Sequence, residues 1–122
     1  MTLIVFYRDE DGSAPFLDWF DSLPMKAKVQ CRARLELLAG QGHQLRRPAA
    51  DYLRDGIYEL RAKAGRIQFR MLYFFHGRAA VVISHGITKT EAAVPPIEIE
   101  RARKRKRAFE ADPRGHTHEE TL

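Results

Sequence analysis

Two arginines, Arg61 and Arg70, stand mid-strand in "YELRAKAGRIQFRMLYFF" (residues 58–75), a stretch that alternates like two β-strands around a short turn. Strand interiors in soluble proteins favour β-branched and aromatic residues, so two guanidinium groups there ask for a reason. Strand side chains alternate between faces, which puts Glu59, Arg61 and Lys63 on one face and Tyr58, Leu60 and Ala62 on the other. With a turn centred on Ala64-Gly65, Arg61 faces Gln68 and Glu59 faces Arg70, and the arginines share one face on a diagonal of about 7–8 Å. A guanidinium is planar, permanently charged and suited to bidentate phosphate binding. A solvated sheet face with a Glu59–Arg70 cross-strand pair is the plainer reading of the same residues.

The charge balance gives the phosphate reading weight. The net charge is +5 and the pI about 9.7, which favours a polyanionic partner, nucleic acid first. The basic residues are concentrated. "RARKRKR" (Arg101–Arg107) has six in seven, and Arg46, Arg47, Arg61, Lys63, Arg66 and Arg70 form a second group.

The elements that must position these residues follow from pattern. "TLIVFY" is a strand. "DEDGSA" is turn chemistry, and Ser13 with Pro15 starts a short helix to about Ser22, with Phe16, Trp19, Phe20 and Leu23 at helical spacing. Pro24 opens a second helix with Ala27, Cys31, Leu35 and Leu38 on one side, closed by Gly40 and Gly42. "HQLRRPAADYLRDG" reads as a polar connection with a short extended piece. The hairpin follows, and a two-residue turn at His76-Gly77 leads into "RAAVVISHG", placing Arg70 opposite Ile83 and His85 opposite Gln68, on the arginine face. Pro95-Pro96 pre-sets a last helix to about Glu110, with Ile99, Ala102, Lys106 and Phe109 on one side. Residues 111–122 lack a hydrophobic pattern and are expected to fray. The expectation is one α+β domain over residues 1–110: an N-terminal strand, a two-helix hairpin, a three-stranded antiparallel meander and a C-terminal helix.

Several classes of chemistry find no support. There is no glycine-rich phosphate loop and no nucleophile elbow. The single cysteine, Cys31, excludes a disulfide framework or a cysteine-built zinc site and falls on a helix's apolar side. His116 and His118 are the one close histidine pair, in the tail and without partners at metal-ligand spacing, so neither metal nor cofactor is expected. No apolar run approaches a membrane span, and "MTLIVFYRDE" lacks the basic lead of a signal peptide. The expected location is the cytoplasm, with no membrane partner.

From Leu45 onward a set of motifs occurs in one order: "LRRP", "LRDGIYELR", "RIQFRMLYFFHG", "HGITK" and "EIERARKRKRAF". Together they resemble the phage-derived HigB-like branch of the RelE/ParE toxin superfamily, the toxins of type II toxin–antitoxin systems. The resemblance implies a small RelE-like α+β domain with a concave basic sheet surface. It further implies a ribosome-dependent mRNA endonuclease neutralised by a helix-turn-helix antitoxin, with an oligomer possible in that complex. Two positions depart from the family pattern. Val94 stands where relatives often have a small polar cap, and Phe109 where some carry tyrosine.

Metal-free RNA cleavage uses the substrate's own 2′-hydroxyl, and the protein must move protons and neutralise the pentavalent phosphate. On this reading Arg61 and Arg70 bind the phosphate. Lys89 adds a third cation, for phosphate binding or proton transfer, and His85, titrating near neutrality, is a candidate proton carrier. Arg46, Arg47, Lys63, Arg66, Arg101, Arg103, Lys104, Arg105 and Arg107 are the expected contacts to mRNA and rRNA phosphates. Two alternatives stand beside it: a ParE-like gyrase inhibitor, and a nucleic-acid-binding homologue without catalysis.

Overall fold

The computed structural model describes residues 1–89 and 93–122, and for Lys89 the backbone alone. It is an α+β fold with one six-stranded, mostly antiparallel sheet and three helices. In chain order these are β1 (Leu3–Tyr7), α1 (Pro15–Asp21), α2 (Met25–Gln41), a 3₁₀ turn (Gly42–Gln44), β2 (Ala50–Arg54), β3 (Ile57–Ala64), β4 (Ile67–His76), β5 (Ala80–Lys89), α3 (Pro96–Ala111) and β6 (Thr117–His118). The sheet runs β2-β3-β4-β5-β1-β6. Strand β1 lies parallel to β5, and the meander β2–β5 is antiparallel.

Side-chain alternation divides the interior in two. On one face α1 and α2 cover Phe6, Leu60, Phe69, Met71, Tyr73 and Ile83 with Phe16, Phe20, Cys31, Leu35 and Leu38. On the other, α3 presses Ile99, Ala102 and Phe109 onto Val5, Tyr7, Ile57, Leu72, Phe74 and Val82. The buried residues of α2 recur at the three-to-four spacing of its sequence pattern, as expected. Val94, at the missing polar cap, is instead buried in the second core, and α3 begins on Pro95 and Pro96 without a side-chain cap. Cys31 is wholly buried, and burial pushes its thiol up to about 12, an inert group. Among the described residues, no helix is long and apolar enough to cross a membrane.

Three features differ from the sequence expectation. The connection before the hairpin contains a strand, β2, closed onto β3 by Asp55-Gly56, both in the left-handed region (φ 53° and 80°) as a two-residue type I′ turn requires. The meander therefore has four strands. Both hairpin registers also shift. Ala64 pairs with Ile67 around Gly65-Arg66, with Gly65 at φ 62° in the first turn position, so Arg61 lies directly opposite Arg70. His76 pairs with Ala80 around a three-residue loop, and an irregularity between Leu72 and Tyr73 moves the pairing by one. Arg70 therefore faces Ile87, and His85 faces Leu72.

The third difference is the end of the chain. Residues 111–122 carry β6, which pairs with Phe6 and Tyr7 of β1. His116 is buried, stacks on Tyr7 with ring centroids 5.0 Å apart and donates from Nδ1 to the Arg8 carbonyl at 2.7 Å. Leu122 packs against the α1–α2 core. Backbone pairing, a ring stack and one terminal leucine hold this segment, and none of them leaves a periodic pattern. Truncation after Ala111 should therefore cost about 1–3 kcal/mol, the scale of several lost hydrogen bonds and an uncovered edge. Urea unfolding of the shortened chain checks this, and an unchanged midpoint would restore the frayed tail.

Candidate functional site

On β3 and β4 the apolar face under α3 ends at Ile57 and Leu72, and the same face continues as Glu59, Arg61, Gln68 and Arg70. Glu59 is 2% exposed and Arg70 5%. One carboxylate oxygen, Glu59 Oε1, accepts from Arg61 Nε at 2.7 Å and from Arg70 Nη1. Arg61 Nη2 also reaches Asp51 Oδ2 at 3.3 Å, and Arg70 Nη2 donates to Gln68 Oε1 at 3.2 Å. The Arg61 side chain is 35% exposed against 6% for Arg70, so Arg61 is the guanidinium that meets solvent. Arg61 and Arg70 line a cleft of about 400 Å³ with Arg34, Pro48, Lys63 and Gln68. The cleft forms because β2 is short. Among the described residues, past the Ala50–Leu60 pair β3 has no strand partner on that side except through the Arg61 amide's bond to the Ala49 carbonyl, 2.7 Å.

Asp51 is the residue the sequence reading missed. It lies opposite Glu59 on β2 and accepts from Arg47 Nη2 at 2.8 Å as well as from Arg61. The Arg47 hydrogen bond holds its carboxyl below the usual range. The chain Arg47–Asp51–Arg61–Glu59–Arg70 thus alternates in sign across three strands. Recognising Asp55-Gly56 as a hairpin turn would have placed Asp51 on a strand beside β3, although uniform pairing from Arg54–Ile57 sets it opposite Leu60 and only the irregularity between Tyr52 and Arg54 brings it opposite Glu59.

His85 sits on the arginine face, as expected, but in a closed setting. Its Nδ1 is 2.8 Å from Ser84 Oγ and its Nε2 3.1 Å from Glu98 Oε1 on α3. Burial first, then the Arg105 charge, outweighs Glu98 and lowers its pKa from 6.5 to about 4. A neutral ring satisfies both partners, with Nε2–H donating to Glu98 and Nδ1 accepting from the Ser84 hydroxyl. Both nitrogens are engaged, so His85 anchors the start of α3 and offers no open lone pair for proton transfer.

The other expected contacts divide by circumstance. Lys63 and Arg66 are exposed at the hairpin tip, and Lys63 lines the cleft. The Lys89 backbone pairs with Gln68, while its side chain lies outside the described residues. Arg47 is 74% exposed, and Arg46 donates to the carbonyls of His43 and Leu45 at 2.6 and 3.1 Å. On α3, Arg101 pairs with Glu98 at 2.9 Å, Arg103 with Glu100 at 3.3 Å and Lys106 with Glu110 at 2.9 Å, so part of the basic run is balanced within its own helix. Arg105 lies over the Tyr7 ring, 5.7 Å from its centroid, and Lys104 and Arg107 face solvent. Among the described residues, no three His, Cys, Asp or Glu side chains converge as a metal-holding group.

A pair of arginines braced by one buried carboxylate is a rigid anion receptor: its donors are fixed before a ligand arrives. The bracing also carries the local fold. Glu59→Ala removes the carboxylate between two opposed arginines and should cost about 3–5 kcal/mol, the scale of breaking a buried ion pair. Arg61→Ala leaves the Glu59–Arg70 pair and should cost about 1 kcal/mol or less. Parallel urea titrations check the contrast.

His85 predicts a pH dependence of stability. In the unfolded chain it takes a proton near pH 6.5, and in the fold near 4. Between these values only the unfolded state is protonated, so stability is complete above about pH 6.5 and falls as pH drops toward 4. The loss from pH 7 to pH 5 should be on the order of 2 kcal/mol. His85→Asn, weaker at pH 7, should show a flatter profile over that window, and equal slopes for the two proteins would refute the assignment.

No curated protein matches the sequence. Residues 18–107 match the model of the phage-derived, Gp49-like protein family (DUF891), a RelE/toxin-like family. The match spans α2, the meander and most of α3, and so includes the stretches of α2, β3 and β4 that line the arginine cleft; the chain belongs to this Gp49-like family.

Proposed function

We propose that this chain is the HigB-like toxin of a type II toxin–antitoxin system and cuts mRNA on the ribosome as a metal-free endoribonuclease. It is held inactive in the cytoplasm by a helix-turn-helix antitoxin. The observation that carries this reading is the directly opposed Arg61–Arg70 pair, braced by Glu59 and lining an open basic cleft. Membership of a toxin-like family supports it from a separate direction.

In the proposed reaction the 2′-hydroxyl gives its proton to water as its oxygen attacks the adjacent phosphorus, the P–O5′ bond breaks, and the leaving 5′-oxygen takes a proton from water, giving a 2′,3′-cyclic phosphate and a 5′-hydroxyl. Charge accumulates on the non-bridging oxygens at the pentavalent stage. Arg61, the more exposed guanidinium, donates to them, and Arg70 adds fixed positive potential from beneath. Lys89, whose backbone pairs with Gln68 across the ladder, is a further candidate for phosphate binding or proton transfer. His85 acts through Glu98 by seating α3, as a positioning residue.

The test is Arg61→Ala, compared with wild type for mRNA cleavage in a translating extract and for thermal unfolding of the same preparation. The cleavage rate should fall by roughly 10²–10³, the scale of losing one preorganised donor to a developing oxyanion, with the melt nearly unchanged. Cleavage at the wild-type rate would remove Arg61 from the mechanism. Intact mRNA with arrested supercoiling, from the wild-type protein, would favour a gyrase inhibitor.

A further inference from the structure

A second cavity, about 520 Å³, lies on the opposite face of the sheet at the β2 edge, lined by His43, Leu45, Arg46, Arg47, Tyr52 and Tyr58 among others. Its floor is aromatic. Tyr52 and Tyr58 pair across β2 and β3 with ring centroids 5.0 Å apart, edge to face, and Tyr58 stacks on Tyr73 at 5.3 Å. Behind them Phe75 packs edge-on to Tyr58 and carries the His43 ring at 3.6 Å. Tyr52 is 53% exposed, although an edge-strand tyrosine gains by turning inward. Its hydroxyl accepts from the Gly56 amide at 3.1 Å, which fixes the ring. Two arginines border this floor, Arg46 held by its own loop carbonyls and Arg47 held by Asp51.

Exposed, immobilised aromatic rings beside fixed guanidinium groups match what unpaired nucleobases require: a π-face for the base and cations for the phosphate. The net charge of +5 is complementary to a polyanion. The two cavities also communicate. Arg47 lines the aromatic one, Arg61 lines the arginine cleft, and Asp51 bridges them at 2.8 and 3.3 Å. A strand rounding the short β2 edge keeps a cation under its backbone throughout.

We propose that the Tyr52–Tyr58 groove is a nucleobase subsite for single-stranded RNA, taking by stacking a base adjacent to the phosphate held at Arg61. The placement beside the scissile phosphate rests on the function proposed above, while the stacking itself does not. The subsite gives the protein a hold on RNA that depends on the base and is independent of the chemistry.

The experiment is fluorescence anisotropy with a labelled, unstructured decaribonucleotide methylated at every 2′-oxygen, which lacks the nucleophile and cannot be cut. Wild type should bind. Tyr52→Leu, which keeps apolar bulk at an exposed edge position, should weaken binding roughly five- to hundredfold, the range of one lost base stack. Its salt dependence should be unchanged, because no phosphate contact is lost. Tyr52→Phe, which keeps the ring, should stay within about twofold of wild type. Failure of wild type to bind, or equal binding by Tyr52→Leu, overturns the subsite. So does Tyr52→Leu binding RNA normally while losing a protein partner, which would make the groove a protein interface. The assay contains no ribosome and no cleavage step, so its failure and a failed Arg61 experiment are told apart.

Discussion

Two guanidinium groups directly opposite on neighbouring strands repel, and taking Arg70 almost wholly out of water makes the repulsion worse. The arrangement survives because Glu59 Oε1 lies between them and accepts from both. The rest of the site follows from that shared oxygen. It fixes the angle between the arginines, spends part of Arg70's donor capacity on structure, and leaves Arg61 as the group facing the cleft. Asp51 extends the same logic one strand outward, so positive and negative charges alternate from Arg47 to Arg70. A site of this kind trades stability for readiness: its net charge falls short of its cation count, yet each cation is already oriented.

The irregularity between Leu72 and Tyr73 makes a second arrangement possible. With uniform pairing, the parity that directs Val82 toward α3 and Ile83 toward the α1–α2 core would send His85 to the wrong side. The one-residue shift returns His85 to the α3 face opposite Leu72 and lets Gly86 pass against the Trp19 ring, where a Cβ would come within 2.1 Å of ring carbon. Trp19 Nε1 then reaches Thr88 Oγ1 at 3.1 Å. One bulge therefore seats α1 on one side of β5 and α3, through His85 and Glu98, on the other.

Much of this was legible in the residues. His85 reaches its face through the irregularity between Leu72 and Tyr73, but the helix spans, the alternation of β3 and β4 and the shared face of Arg61 and Arg70 all follow from period and parity, which survive a two-residue slip in register. Direct opposition of the arginines does not, because it depends on whether Ala64-Gly65 or Gly65-Arg66 occupies the turn. Glycine in the first central position, at positive φ, decides for the second. Strand β2 carried a readable signal in Asp55-Gly56, obscured by the polar residues on either side. The closed setting of His85 and the anchoring of His116 depend on partners far away in sequence, Glu98 and the Arg8 carbonyl, and no local pattern announces them. Family-level motifs pointed to the correct broad group, and those on β3 and β4 carry the residues that line the cleft.

The short edge strand ties these observations to function. Had β2 continued past Ala50, it would have paired with Arg61–Lys63, satisfied their backbone and walled off the cleft. An open β3 edge invites pairing by another chain unless it is charged, and Lys63 with Arg66 supplies that protection while adding to the positive field. The feature that exposes Arg61 also brings Tyr52 to the rim, since β2 ends the sheet on that side and its outer neighbour is solvent. Stability favours extending β2. On the proposed function, exposing fixed cations on one face and fixed aromatic rings on the other favours stopping it at five residues. Fold class alone does not choose between a nuclease and an inhibitor. An edge left open over braced arginines has a direct use where a flexible polyanion must be gripped on both sides.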